Sequence, residues 1–239
     1  MKIAIYGDSI SEGIGKRKIN YSNYLKEIME KKGEKTEIAN YAHTGTTIKY
    51  LTELLNNSVM DYSVSIIGYG NVDAMLRPDL KHTPNYYKYL PNRYKQNGML
   101  NPRPYYSKRW YKKWLQKCDS CFRTGLNKIL LKLQGKTTWI SMDEFRDEYV
   151  KCIRKIKKSG CEKIVLLSTV HVSDKYFPGT NVEYQKINLI INKIAMKEKC
   201  IFIDLYSLLD ESKYFYDDLF HPNNIGYEKI AEAIGQKLL

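Results

Sequence analysis

The sequence predicts an α/β protein with a mostly parallel sheet, and two observations support this fold class. Short apolar strands at 2–6, 36–41 and 62–68 each run into a turn, and the unit of strand, glycine-containing turn and helix recurs. Later in the chain, Lys163 to Thr169 contains the continuous apolar run Ile164-Val165-Leu166-Leu167. Such a run is typical of a strand buried on both faces of a parallel sheet.

The helices follow from apolar spacing and from their end signals. Apolar residues at helical period predict helices over 21–32, from Ile48 onward, over 182–197 and from about 226 to the C-terminus. Gly33 is a stop signal for the first of these. Ser141 and Glu144 have the spacing of a capping box, which predicts a helix that continues to about Lys158. A last strand is predicted over 200–204.

Composition restricts the class of protein. The 239 residues are 43% hydrophobic, enough for one large domain with a buried core. No run of about 20 apolar residues predicts a membrane span, and the N-terminus lacks the features of a signal peptide. Five cysteines, an odd number, favour reduced thiols and a cytoplasmic location. Cys118 and Cys121 have no second pair or histidines at metal-binding spacing, so structural thiols are expected.

The positive charge lies in one segment. The formal net charge is +13, and residues 77–136 contain fifteen Lys or Arg residues against two acidic ones. Tyrosines and tryptophans interleave with these cations. We interpret residues 77–140 as a basic, Tyr-rich insertion after the third strand of a single domain spanning 1–239. Its first part, up to Pro104, is predicted to be irregular, and its second half to form two helices.

Two distant turns carry residues suited to nucleophilic catalysis. Ser9 follows the first strand in the turn Gly7-Asp8-Ser9, and Asp218 and His221 follow the last strand. Pro222 prevents a helix from running through the second turn. A serine nucleophile needs an imidazole to accept its proton and an acid to orient that imidazole. Because parallel strands end at one edge of a sheet, Ser9 and His221 are expected to meet there.

The set of turns resembles the SGNH (GDSL-type) hydrolase family, whose four short blocks span nearly the whole chain. The matching residues are Gly7-Asp8-Ser9-Ile10-Ser11-Glu12-Gly13, Gly45, Gly70-Asn71-Val72-Asp73 and Asp218-Leu219-Phe220-His221-Pro222-Asn223. The resemblance implies a three-layer α/β/α, flavodoxin-like fold. It also implies that Ser9 is the nucleophile, His221 the general base and Asp218 the orienting acid of an esterase that needs no metal or organic cofactor.

The same resemblance implies an oxyanion hole formed by the Ser9 N–H, the Gly45 N–H and an asparagine amide. The third block departs from the usual Gly-x-Asn-Asp pattern, because Val72 occupies the position of the donor asparagine. Asn71, one residue earlier, is the substitute we consider. The alternatives are a hole with two donors or an impaired site. Losing one donor typically costs about 10²–10³ in kcat.

Four further residues are candidates for substrate contact at this edge. They are Asp8, His43, His171 and Arg77. For Asp8 and His43, structural roles in their turns are the competing interpretation.

Three functions are considered. The first is a serine esterase that removes a short acyl group, such as acetyl, from a glycan or another hydroxyl-bearing small molecule, including anionic ones. The second is an acyltransferase with the same triad that modifies a polysaccharide, with the basic insertion holding a phosphorylated donor. The third, ranked last because no nucleic-acid-binding motif is present, is a non-catalytic protein that binds a polyanion such as nucleic acid. The oligomeric state stays open.

Overall fold

The computed structural model describes residues 1–15, 18–57, 61–79, 85–94 and 100–239. Its centre is a five-stranded sheet of β1 (Lys2–Gly7), β2 (Glu37–Asn40), β3 (Val64–Gly68), β6 (Lys163–Leu167) and β7 (Ile201–Ile203). The strand order is β2-β1-β3-β6-β7, and every neighbouring pair is parallel. The predicted α/β class and parallel sheet are therefore confirmed.

Helices cover both faces of this sheet. On one face, α2 (Tyr21–Lys31) packs against α9 (Asn224–Leu238); on the other, α6 (Met142–Lys158) packs against α3 (Ile48–Asn57) and α7 (Thr180–Glu198). The right-handed crossovers of parallel strands require this division, because the strand order reverses after β2. Buried side chains from the sheet and from these five helices form one continuous core. The three layers agree with the architecture that the sequence resemblance implied.

The reversal of strand order creates the site. β1 and β3 are neighbours in register, with Gly7 opposite Gly68, and both strands end at this level. The chain leaves β1 into α1 (Ser9–Glu12) and leaves β3 into α4 (Asn71–Ala74). In open parallel sheets, ligands bind in the crevice where the order reverses, beyond the carboxyl ends of the strands.

Residues 77–140 contain a second, two-stranded sheet at this edge. β4 (Arg77–Pro78) pairs antiparallel with β5 (Lys136–Thr137), and two 3₁₀ turns occupy Asn85–Tyr89 and Asn92–Tyr94. The prediction of two helices is wrong, because a single helix, α5 (Trp110–Gln134), runs without a break. Lys81 and Lys95 of the predicted insertion, and part of its irregular stretch, lie outside the described residues. The single-domain boundary with an insertion stays a prediction.

In the described residues, the remaining elements are α8 (Leu205–Leu208) and a 3₁₀ turn at Ser212–Tyr214. At the start of α6 only half of the predicted capping box forms. The Ser141 hydroxyl accepts the Glu144 N–H at 3.2 Å, but the Glu144 carboxylate pairs with Lys49 at 2.6 Å instead of the N-cap amide.

Within the described ranges, no helix has the length and apolarity needed to cross a membrane.

Candidate active site

Ser9 is the first residue of α1, directly after the end of β1. Asp8 is the N-cap of this short helix, and its carboxylate accepts the Ile10 N–H at 2.9 Å. N–H groups in the first turn of a helix have no intrahelical acceptor. The Ser9 N–H is therefore available to an external acceptor at the same place as the Ser9 hydroxyl.

The turn that carries Ser9 is held tightly against β3. The Ser11 hydroxyl lies between Gly7 and Gly68, and a Cβ added at Gly7 would come within 2.5 Å of Ser11 Oγ. The Tyr21 hydroxyl donates to Ser11 Oγ at 2.9 Å from the adjoining helix. A side chain at Gly7 would push α1 away from the sheet, so the glycine sets the height of Ser9 above it.

His221 and Asp218 lie in the turn between β7 and α9. Asp218 Oδ1 accepts the N–H groups of Phe220 at 3.2 Å and His221 at 3.1 Å, while its Oδ2 lies 2.6 Å from His221 Nδ1. Leu219 has a φ of +51°, a left-handed conformation that lets the chain fold back over the carboxylate. His221 Nε2 lies 2.9 Å from Ser9 Oγ. The three predicted triad residues therefore form one continuous line of hydrogen bonds.

Ser9, Asp218 and His221 line a cavity of about 270 Å³. Its walls come from the three turns of the sheet edge and from the segment after β3. The lining residues are Ser9, Thr44, Gly45, Val72, Met75, Arg77, Asn101, Pro102, Arg103, Pro104, Arg123, Trp139, Asp218, Phe220 and His221.

Gly45 reaches the cavity on a loop that is fastened to α1. Glu12, at the end of α1, accepts the Thr44 N–H at 2.7 Å and also binds the Thr44 hydroxyl and the Lys18 ammonium. Gly45 has a φ of +76°, which favours glycine. The Glu12 clamp therefore fixes the predicted second donor, the Gly45 N–H, relative to Ser9.

The structure corrects the expectation for Asn71. Its amide nitrogen donates to Asp8 Oδ2 at 3.2 Å, and its amide oxygen accepts the Val170 N–H at 2.9 Å. The side chain is buried beneath the cavity and is not part of its wall, where Val72 lies instead. Because α4 begins at Asn71, consecutive side chains point in different directions, and only Val72 faces the cavity. The Asn71 side chain is therefore not placed to be an oxyanion donor.

Two buried carboxylates lie under this site. Burial raises the pKa of Asp8 to about 6, against the opposing hydrogen bonds from Ile10 and Asn71. Burial likewise raises the pKa of Asp73 to about 7, although its oxygens accept the N–H groups of Ile48 and Gly70, both at 2.9 Å. Asp73 thereby joins the turns after β2 and β3. These two acids are parts of the scaffold.

Of the four predicted substrate contacts, only Arg77 lines the cavity. Asp8 is buried beneath the cavity. His43 is exposed and stacks near Tyr50, with ring centroids 5.8 Å apart. His171 packs edge-on against Tyr206 at 5.1 Å. The prediction for Asp8 is wrong, because its side chain is buried. His43 and His171 do not line this cavity, and their contact with a substrate stays a prediction.

The sequence interpretation missed several wall residues. Trp139, Arg103 and Arg123 come from the segment whose basic and aromatic composition was noticed without assigning any of them to the site. Trp139 N donates to the Asp73 carbonyl oxygen at 3.3 Å, which ties the end of this segment to the turn after β3. The charge pattern was the available signal, but it did not show which cations face inward.

Comparisons with known proteins bear on the family and the fold of this chain. The model of the GDSL-like Lipase/Acylhydrolase family matches residues 5–229. No curated protein is similar enough in sequence to count as a match. Among solved structures, an acetylxylan esterase, Axe2 from Geobacillus stearothermophilus, has 14% identity and a TM-score of 0.64, covering 99% of this chain and 93% of the other.

Four further structures are similar over nearly the same length. A lipase/acylhydrolase from Enterococcus faecalis has 16% identity and a TM-score of 0.64, with 99% and 94% of the two chains covered. Three other structures of Axe2 are catalytic mutants in which a serine, an aspartate or a histidine is replaced by alanine. At these identities the likeness shows a common fold.

Proposed function

Since the chain belongs to the GDSL-like lipase/acylhydrolase family, we propose that it hydrolyses an O-acyl ester through an acyl-enzyme on Ser9. The observation that carries the proposal is the line from Asp218 through His221 to Ser9, with contacts of 2.6 and 2.9 Å at the wall of one cavity. The family gives the reaction class. The geometry supports the assignment of each residue.

In the proposed reaction, His221 Nε2 accepts the Ser9 proton as Oγ attacks the acyl carbon. Asp218 accepts a hydrogen bond from His221 Nδ1, which keeps Nε2 free as the base and stabilises the imidazolium that forms. The imidazolium then protonates the departing alkoxide, which leaves as the alcohol. In the second half, His221 takes a proton from water, the water oxygen attacks the acyl-enzyme, and Ser9 recovers its proton from His221.

The oxyanion is held by two backbone donors in this proposal. They are the N–H groups of Ser9, at the start of α1, and Gly45, on the loop fastened by Glu12. Val72 fills the part of the wall where the family pattern has an asparagine and offers no polar side-chain atom. The proposed hole therefore works with one donor fewer than the family pattern.

The size of the cavity supports a short acyl group. A volume of about 270 Å³ is below the usual range of pockets for drug-sized ligands, so an acetyl or similar group fits better than a long chain. Trp139 lies at the rim with 38% of its surface exposed, and an indole face is a suitable surface for a sugar ring. The fold is shared with an acetylxylan esterase. A glycan or a similar hydroxyl-bearing compound is the substrate class we propose.

The test is the hydrolysis of 4-nitrophenyl esters of increasing chain length. We expect kcat/KM to be highest for the acetate and to fall as the acyl chain lengthens. Ser9→Ala should lower the acetate rate by at least about 10³, because the nucleophile is lost. Ser207→Ala, an exposed serine on α8, is the matched control and should keep the rate. Activity that survives in Ser9→Ala would exclude the Ser9 mechanism.

A second cleft supports acyl transfer as the alternative function. It has a volume of about 640 Å³ and lies between α5 and the segment before α7. Four lysines line it, Lys113, Lys117, Lys128 and Lys175, and Asp217, next to Asp218, lies at its margin. Clustered lysines attract the phosphates of a donor such as an acyl-CoA.

Transfer and hydrolysis are separated by the products. With acetyl-CoA or 4-nitrophenyl acetate as donor, a transferase forms an acetylated sugar in an amount that rises with acceptor concentration. An esterase gives only acetate, and no acetylated sugar, at every acceptor concentration. That result would exclude transfer. Lys117→Gln should weaken the use of acetyl-CoA but not of 4-nitrophenyl acetate if the cleft holds the donor.

We also propose a cytoplasmic location, which the five free cysteines support.

A further inference from the structure

Arg77 is a buried cation in the wall of the Ser9 cavity. Its exposed fraction is 7%, and Nη2 donates to the Val72 carbonyl oxygen at 3.1 Å. Its Nε and Nη1 have no hydrogen-bond acceptor among the residues that the structure describes. Most buried polar groups in proteins are hydrogen-bonded, and a guanidinium group has five N–H donors to satisfy. Arg77 thus lines the cavity and has two donors without an acceptor in the described part of the chain, which makes it a candidate to bind an acceptor of the substrate.

The guanidinium is held in one orientation. Its carbon atom lies 3.3 Å from the centroid of the Trp139 ring, which is a stacking distance. The backbone of Arg77 pairs with Thr137 across the short β4–β5 ribbon. Ring, ribbon and the bond to Val72 together keep the side chain from turning toward solvent, so its free donors are preorganised.

The neighbouring acids are engaged with other groups. Asp73, the acid whose charge acts most on Arg77, accepts backbone N–H groups with both oxygens. Asp119 pairs with Arg103 and Arg123, the other two cations of the wall, and Asp218 binds His221. Burial lowers the pKa of Arg77 only to about 10, so the side chain is charged at neutral pH. Three arginines and one otherwise engaged carboxylate thus line the cavity.

We propose that Arg77 is a specificity residue that binds a carboxylate of the substrate, so that the preferred ester carries this anion close to the acylated oxygen. The small cavity places Arg77 and Ser9 on the same bound molecule. A carboxylate is the planar acceptor that guanidinium edges match best. The inference rests on the proposed esterase function and adds the charge and the position of the group that the enzyme selects.

The test compares matched esters with and without the charge. The anionic substrate is 4-acetoxybenzoate, and its neutral match is 4-acetoxybenzamide; neither carboxylate nor amide can reach its own ester. We expect wild type to favour the benzoate in kcat/KM by about tenfold to hundredfold, as charge-assisted pairs discriminate strongly. In Arg77→Gln the ratio should fall to about one, and in Arg77→Lys to an intermediate value.

Matched controls make the outcome specific. Arg146→Gln removes an exposed arginine on α6, outside the cavity, and should keep the wild-type ratio. A ratio of about one in wild type, or an unchanged ratio in Arg77→Gln, would overturn the proposal. Equal loss on both esters in Arg77→Gln would also overturn it, because it would assign Arg77 to the transition state or to folding. Faster hydrolysis of 4-acetoxyphenyl phosphate than of 4-acetoxybenzoate would replace the carboxylate by a phosphate.

A binding measurement keeps the two proposals separate. In Ser9→Ala, whose cavity is intact but whose nucleophile is absent, benzoate should raise the melting temperature at concentrations where benzamide does not. This shift should vanish in the Ser9→Ala/Arg77→Gln double variant. An esterase that depends on Ser9 but shows no benzoate effect would refute only the anion site. A benzoate effect without any ester hydrolysis would refute only the esterase function.

Discussion

The amide nitrogen of Asn71 donates to the buried carboxylate of Asp8 at 3.2 Å, so the turn after β3 is bonded to the turn that carries Ser9. The amide oxygen of Asn71 extends the link to Val170, beyond the end of β6. Three strand ends are thus joined under the cavity. Asn71 therefore supports the site from below, while its neighbour Val72 faces the cavity.

Asp8→Asn is expected to make the protein less sensitive to rising pH. The pKa of Asp8 is about 6 in the fold against an ordinary 3.8, so between these values the folded chain holds a proton that the unfolded chain has released. The contribution of Asp8 to stability therefore falls as pH rises through this window. The free energy of unfolding of Asp8→Asn, relative to wild type, should rise by up to about 3 kcal/mol from pH 4 to pH 7.

Urea unfolding at pH 4, 5, 6 and 7 measures this difference, and Asp210→Asn is the control. Asp210 is exposed after α8, so its substitution removes a carboxylate that is not part of the core. If Asp8→Asn changes the free energy of unfolding by the same amount at every pH, that constant part reports the altered hydrogen bonds to Ile10 and Asn71. It does not affect the slope of the difference against pH. A slope equal to that of the control would show that the Asp8 carboxyl titrates alike in both states.

Asp218→Asn should abolish most of the activity while the chain still folds. The amide oxygen can accept the N–H groups of Phe220 and His221 as Asp218 does now. The amide nitrogen would then face His221 Nδ1 and favour the tautomer with hydrogen on Nε2, which cannot accept the Ser9 proton. The expected loss in kcat is about 10⁴ with 4-nitrophenyl acetate. An unchanged melting temperature would attribute the loss to chemistry, and a rate within tenfold of wild type would contradict the role of Asp218.

Gly70→Ala should destabilise the protein and Gly125→Ala should not. Gly70 has a φ of +130°, and an added Cβ would lie 3.0 Å from Thr169 Cγ2, so both conformation and space oppose a side chain. The expected cost is about 1–3 kcal/mol. Gly125 lies inside α5 with nothing within 4 Å of an added Cβ, and alanine there should stabilise by about 0.5–1 kcal/mol. Thermal unfolding of the two variants should move in opposite directions; a shift of the same sign would refute the argument.

The sequence predicted the sheet and the approach of Ser9 to His221 because both depend on local signals. The apolar runs specify the strands, and the parallel order brings the turns at Ser9 and His221 to one edge. It did not predict the continuous α5, because the helical spacing at Trp110 and Trp114 and the helical spacing from Phe122 onward were taken for two helices.

The sequence also could not predict the directions in which the side chains of the turns point. Asn71 and Val72 are adjacent, and only the start of α4 at Asn71 decides which of them faces the cavity. His171 likewise follows β6 at the right edge but packs against Tyr206. Arg77 was predicted as a contact, whereas its pairing with Trp139 depends on a ribbon of two-residue strands, too short for any periodicity.

Val72→Asn is expected to raise the rate by restoring the third oxyanion donor. Val72 is nearly buried, lines the cavity and stands at the family's donor position, and asparagine has a similar volume. One donor of this kind typically contributes about 10²–10³ to kcat, and an imperfectly oriented one should still give about tenfold. The gain should appear in kcat for 4-nitrophenyl acetate with little change in KM, because the donor acts on the transition state. Val72→Leu, which extends the side chain without a donor, should show no gain. If Val72→Asn and Val72→Leu have equal kcat, position 72 does not face the oxyanion, and the assignment of Val72 to the position of the missing third donor is wrong.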